Sequence, residues 1–204
     1  MDLAFLHRLG LSYKNALFMI RDRGYEVNSI MLDMEPLEIA GHFYVSAIQQ
    51  SKSLSHVMRA SFRSSQKELT LWILDRNYDT VKFRDKMIST DQIKSIAEQI
   101  SQDEAESAII LSPFKLSPQA KKECLKAEIF LFDDLLIRLP DHVLVNRHEE
   151  ISLQNAQDVL GKSFNPSHLP VLPMTDPISR WYNFKKGSII YINNPIMPTF
   201  RIVC

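Results

Sequence analysis

With 204 residues, 45% of them hydrophobic and 24% charged, the chain has room for one or two globular domains and an ordinary folded protein's composition. Its 24 Lys plus Arg equal its 24 Asp plus Glu, so the net charge is zero, whereas an autonomous nucleic-acid binder usually carries a basic excess. Any contact with DNA is therefore expected to be local and supported by a larger partner. The two cysteines, Cys124 and Cys204, lack metal-finger spacing and read as reduced intracellular thiols. No apolar run reaches the roughly 18 residues of a membrane helix, and no basic-then-apolar signal opens the chain. The chain is expected to be soluble and intracellular.

Residues 3 to 22 carry apolar side chains at helical spacing, with Leu3, Leu6, Leu9, Ala16, Leu17 and Ile20 on one stripe. Gly10 weakens the middle of this predicted helix, and Gly24 is placed to end it. Pro36 starts a second helix through about Gln50, with Ile39, Ala40, Phe43, Tyr44, Ala47 and Ile48 on its buried side. Residues 51 to 67 hold Lys52, Arg59, Arg63, Lys67, six serines and no acid. This segment reads as a solvated loop with a short strand near Val57 to Phe62; phosphate contact is the alternative. A strand is predicted from Leu69 to Leu74, paired with Thr80 to Phe83 across the turn Asp75–Asp79.

The pattern then alternates. Thr90 caps a predicted helix presenting Ile93, Ile96, Ala97 and Ile100, and Ser107 to Leu111 is a buried-type strand. Ser117 and Pro118 start a helix reaching about Lys126, and Glu128 to Phe132 is a further strand. This order argues for an α/β layer with at least two parallel strands joined by right-handed crossovers. Asp133 caps a short predicted helix from Leu135 to Leu139, and the domain boundary falls near Pro140, giving domains 1–139 and 140–204.

In the second domain, a strand His142–Val145 precedes a helix capped by Ser152 and ended by Gly161. Extended segments at Asn165-Pro166 and Leu169-Pro170 lead to the run Asp176–Ile192. Asp176 can cap free backbone N–H groups, and Pro177 suits a first helical position, where no N–H is needed. About one helical turn then carries Arg180, Trp181 and Tyr182. Lys185-Lys186-Gly187 reverses the chain, and Ser188 to Ile192 is a strand. The expected arrangement is α+β, helices packed on a small mixed sheet. The run reads as a docking surface, with no catalytic constellation in it.

The six histidines, His7, His42, His56, His142, His148 and His168, show no zinc-ligand spacing, and the five glycines form no phosphate loop. No metal and no cofactor is expected. Cys124 follows Lys121 and Lys122, which could lower its pKa, but no His or Asn partner is cued and a buried structural thiol is the better reading. The best candidate for nucleic-acid contact is Ser117-Pro118-Gln119-Ala120-Lys121-Lys122. Here a helix start offers N–H groups to phosphate with lysines one turn on, against the plainer reading of a capped helix with a basic face.

The order Asp176-Pro177-x-x-Arg180-Trp181-Tyr182, Lys185-Lys186-Gly187, a hydrophobic strand and a terminal Arg201-Ile202-Val203 strand is similar to the RNA polymerase subunit five family. That family includes a short archaeal form and the fifth subunit shared by the nuclear polymerases. His142-Val143-Leu144-Val145 with His148 resembles its His-x-Leu-Val strand, and Leu169-Pro170 its Leu-Pro. Asp22-Arg23-Gly24-Tyr25 resembles the segment after the first helix of eukaryotic-type members, where the archaeal form has no counterpart. Ser117 to Lys122 resembles the family's (Thr/Ser)-Pro-Ser-Ala-Lys turn, with Gln119 in place of the small residue.

The resemblance implies an N-terminal jaw domain of restriction-endonuclease-like topology and a C-terminal assembly domain. Nuclease sites on that topology need an Asp and an Asp/Glu-x-Lys to hold Mg²⁺ and activate water. No Asp or Glu in the chain is followed by Lys two positions later, and Asp75, Asp79, Lys82 and Asp85 read as solvated turn charges. No catalytic site is therefore expected. The implied function is that of a non-catalytic subunit of a multisubunit DNA-directed RNA polymerase, one copy per complex. It would dock on the largest subunit through His142, Asp176, Pro177, Arg180, Trp181, Tyr182, Lys185, Lys186 and Arg201. Ser117, Pro118, Lys121 and Lys122 would lie near downstream duplex DNA. A stand-alone nuclease-like DNA-binding protein and a reversible polymerase-binding adaptor are the alternatives. Departures at Asn146, Val171, Asn183 and the Pro195–Pro198 loop suggest a divergent copy of the kind large DNA viruses encode. Such a copy would work in the virion and host cytoplasm, a cellular one in the nucleus.

Overall fold

The structure, a computed structural model, describes residues 3–65, 67–74, 87–88, 90–102, 105, 107–124 and 126–204. The predicted turn at 75–79, the strand Thr80–Phe83 and the charges Asp75, Asp79, Lys82 and Asp85 lie outside the described residues. The chain divides into two compact units, residues 1–136 and 137–204.

The first unit opens with helices α1 (Leu3–Asp22), α2 (Ser29–Asp33), α3 (Pro36–Gln50) and α4 (Leu54–Val57). Strands β1 (Ala60–Arg63), β2 (Glu68–Ile73) and β3 (Met87–Ile88) follow, then α5 (Thr90–Gln102), β4 (Ser107–Ser112), β5 (Lys115–Leu116), α6 (Pro118–Glu123) and β6 (Ala127–Leu131). The main sheet has the order β1-β2-β4-β6, and β3 pairs with β5 in a separate ribbon. β1 is antiparallel to β2; β2, β4 and β6 are mutually parallel, with Leu71 opposite Ile109 and Ile110 opposite Ile129. Parallel strands covered on both faces read as unbroken apolar runs, and in β2 and β4 every residue but the first is buried. Trp72, Ala108 and Ile110 on one face share a core with Ile93, Ala97 and Ile100 of α5 and with Ala120 and Cys124 at α6.

α1 is tied to the end of β6 by side chains. Arg23, with its side chain 3% exposed, makes a two-pronged ion pair with Glu128 at 2.8 Å. Ser12 Oγ donates to the Phe132 carbonyl at 2.9 Å, and Asn15 Nδ2 to that of Leu135 at 2.7 Å. These bonds explain why the helix expected from Leu135 to Leu139 does not form. The chain instead makes 3-10 turns at Phe132–Leu135 and Leu139–Asp141, because carbonyls that would serve a helix are used by α1 while Phe132 and Leu135 are buried. Gly10 proves to be a contact point: a Cβ placed on it would lie 1.8 Å from the Pro36 carbonyl oxygen, so α3 begins directly against α1 there. On α3, Ile39, Ala40 and Ala47 are buried as expected, but Ile48 is 62% exposed.

After its opening 3-10 turn at Leu139–Asp141, the second unit runs β7 (Arg147–Ile151), α7 (Leu153–Leu160), β8 (Val171–Leu172), α8 (Pro177–Tyr182), β9 (Ile189–Asn193) and β10 (Thr199–Val203). Its sheet has the order β7-β9-β10-β8, antiparallel except for β10 with β8, and is therefore mixed. Leu172, Ile178, Phe184, Ile190, Ile192 and Val203 form its core, joined by Leu139, Val145 and Tyr182. Ser152 caps α7 by accepting from Asn155 N, and Gly161 ends it. The strand expected at His142–Val145 is displaced. Those residues form a turn, with Val145 N–H donating to His142 O at 2.8 Å, and pairing starts only at Arg147 opposite Asn193. Val143 and Leu144 have strand-like chemistry, yet only Val145 of the three packs on the core. Among the described residues, no helix is long and apolar enough to cross a membrane.

Candidate subunit-docking surface

The run from Asp176 to Asn193 builds a rigid corner from local signals. Asp176 Oδ1 accepts from Ile178 N at 2.8 Å and Ser179 N at 3.4 Å, and Pro177 takes the first helical position of α8. Asn183 ends the helix in the left-handed region at φ 56°, where Asn is better tolerated than most residues. Its side-chain oxygen accepts from Lys185 Nζ at 2.7 Å. Gly187, at φ 89°, completes the reversal, and its N–H donates to the Val203 carbonyl at 2.9 Å, locking the turn to β10. Tyr182 stacks on Phe184 with ring centroids 5.3 Å apart.

The proposed docking residues are thereby sorted by depth and by place. Trp181 is 1% exposed and is part of the support. Asp176, Arg180 and Tyr182 are half-buried, and Pro177, Lys185, Lys186, Arg201 and His142 are exposed. Arg201 reaches the Val171 carbonyl with Nη1 at 3.3 Å. The basic turn sits beside Val203 at one end of the sheet. His142 precedes β7 at the opposite end, where Arg147 meets Asn193, so the set does not form one cluster. His142 Nδ1 accepts from Leu144 N at 3.3 Å, and His148 Nδ1 lies 2.6 Å from the Asn146 carbonyl, which fixes both rings locally.

In the first unit, Ser117 Oγ caps α6 by accepting from Ala120 N at 3.1 Å, and Pro118 occupies the first turn. The Ser117 N–H is already given to the Ile88 carbonyl at 2.9 Å. With a helix of 6 residues behind it, this corner offers a ligand chiefly the exposed charges of Lys121 and Lys122. Burial, with a smaller contribution from Glu123, pushes the Cys124 thiol above its ordinary pKa, opposite to the activation that the two lysines could have given. Among the described residues, no three His, Cys, Asp or Glu side chains are placed to hold a metal ion.

Residues 137–203, nearly the whole second unit, match the family described as RNA polymerase Rpb5, C-terminal domain. That makes the unit an assembly domain of the fifth-subunit class. The similarity extends well beyond it. The chain is 26% identical over 193 residues to DNA-directed RNA polymerase V subunit 5A of Arabidopsis thaliana, an alignment covering 92% of this chain and 82% of that protein. It is 24% identical over 201 residues to DNA-directed RNA polymerases I, II, and III subunit RPABC1 of Caenorhabditis elegans, covering 93% and 90% of the two chains. The chain belongs to the fifth-subunit family of DNA-directed RNA polymerases.

Proposed function

We propose that the chain is a non-catalytic, architectural subunit of a multisubunit DNA-directed RNA polymerase. The observation that carries this reading is the match of residues 137–203 to the Rpb5 C-terminal domain, joined to similarity along 92% of the chain to a polymerase subunit. The C-terminal unit docks on the largest subunit, and the N-terminal unit, residues 1–136, forms part of the lower jaw near incoming duplex DNA. Its three parallel strands flanked by helices support the restriction-endonuclease-like layout, without the acid-x-Lys such a nuclease would need. Nucleotide chemistry and its Mg²⁺ belong to the large subunits. Lys121 and Lys122 give the jaw a local positive surface, which suits weak, sequence-independent phosphate contact in a chain of zero net charge. The protein acts in the nucleus if its polymerase is cellular, and in the virion and host cytoplasm if it is viral.

Affinity purification of the tagged chain from its source at high salt tests this. The expected result is a polymerase co-purifying in equal stoichiometry with the chain. Recovery of the chain alone, or metal-dependent DNA cleavage by it, would overturn the reading in favour of a stand-alone protein. Recovery in variable, salt-sensitive amounts would favour a reversible adaptor.

A further inference from the structure

The three most exposed large apolar side chains of the second unit, Ile196 at 93%, Val143 at 92% and Leu144 at 82%, share one end of its sheet with Met197 at 66%. They are distant in sequence, but the pairing of Arg147 with Asn193 brings them together. Val143 and Leu144 lie just before β7, and Ile196 and Met197 just after β9, in the loop to β10. Both segments are held in place. Val145 is anchored in the core, and its N–H bonds to His142 O at 2.8 Å. Asn194 N–H donates to Ile192 O at 2.9 Å, and Asn194 Oδ1 accepts from Ile196 N at 2.9 Å. Pro195 and Pro198 bracket the pair and restrict its backbone. Little ordering entropy remains to be lost on binding.

We propose that this end of the sheet, Val143, Leu144, Ile196 and Met197, is the apolar centre of the contact with the largest polymerase subunit. The inference rests on the polymerase-subunit reading above. It moves the centre of docking away from the Asp176–Tyr182 corner, whose main role is to support the fold.

The chemistry of the rim selects a protein partner. Asn146, Arg147, Asn193, Asn194 and His142 surround the apolar side chains, and the guanidinium of Arg147 is paired with Glu149 at 2.6 Å. A nucleic acid would call for several available cations. An apolar centre within an amide-rich rim is the anatomy of a protein interface. Area argues against a second copy of this chain. At about 60–120 Å² per aliphatic side chain, four side chains offer roughly 250–450 Å², about half of the ~800 Å² that each partner contributes to a stable dimer. A larger chain can supply the remainder by also engaging the surrounding polar surface.

The test uses the full chain with paired substitutions, Ile196→Asp with Met197→Asp and, separately, Val143→Asp with Leu144→Asp. Each is offered to the chain's own polymerase purified without this subunit. Circular dichroism and thermal melting check the fold, and Ser pairs at the same positions replace any Asp pair that unfolds. Each folded pair is expected to be incorporated at least tenfold more weakly than the parent chain, while the isolated parent sediments as a monomer. Parent and variants incorporating equally would overturn the proposal and leave the subunit reading standing. A parent dimer broken by the substitutions would overturn it in favour of a second copy. Failure of the parent itself to incorporate would defeat the subunit reading, and this proposal with it.

Discussion

Trp181 and Asp176 stand five positions apart in one short helix and do different work. Trp181 is 1% exposed, so Trp181→Ala should cost about 3–5 kcal/mol of unfolding free energy in urea titration. Asp176→Ala removes a cap and should cost about 1 kcal/mol. Between them, the Ser179 hydroxyl is buried without a hydrogen-bond partner. Ser179→Ala should therefore leave the melting temperature unchanged or raise it, since it removes an unsatisfied polar atom of small volume. The two thiols should separate as sharply. Cys204 is exposed, whereas Cys124 is buried with its pKa raised, a shift that lowers its thiolate fraction at any given pH. A thiol reagent at pH 8 should label one cysteine quickly and the second only on unfolding; two fast thiols would show that the α5–α6 core is open.

Among the elements, α1 and α3 give the clearest contrast between pattern and packing. By helix propensity alone, Gly10→Ala in the middle of a helix should stabilise by about 1 kcal/mol. The Pro36 carbonyl, 1.8 Å from where the new Cβ would sit, reverses that sign. The variant should melt below the parent because α3 must shift to admit the methyl group, and a rise in melting temperature would refute the close crossing. Helix starts and stops were legible wherever a signal acts within a few residues, as at Pro36, Ser117, Ser152, Asp176 and Gly161. Two elements were not. The segment 133–139 is claimed by Ser12 and Asn15, about 120 residues away, and His142–Val145 lost its pairing to the next five residues. Neither competitor is visible in a local window.

Across the whole molecule, each unit has its own core, and the second carries a complete four-stranded sheet within residues 137–204. That fragment should fold alone with a single cooperative transition; a broad, non-cooperative melt would mean it depends on the rest of the chain. Variants at Arg180 and at Tyr182, which stacks on Phe184, should fold yet incorporate into the polymerase less well than the parent. The loss should be smaller than that from Ile196 and Met197 if the apolar end of the sheet is the centre of the contact. Membership of the fifth-subunit family was readable from Asp176–Tyr182, Lys185–Gly187 and Arg201–Val203, because turn and cap chemistry leaves an ordered trace in sequence.

The sequence by itself determined where most helices begin and end, the alternation that makes β2, β4 and β6 parallel, and the corner that marks the family. These depend on backbone chemistry within a few residues. Only the tertiary structure decided that Trp181 lies inside while Ile196 and Val143 lie outside, and that Gly10 is a contact. Burial is a property of neighbours brought in from elsewhere in the chain, and hydrophobic residues carry the same chemistry whether they fill a core or wait at a surface.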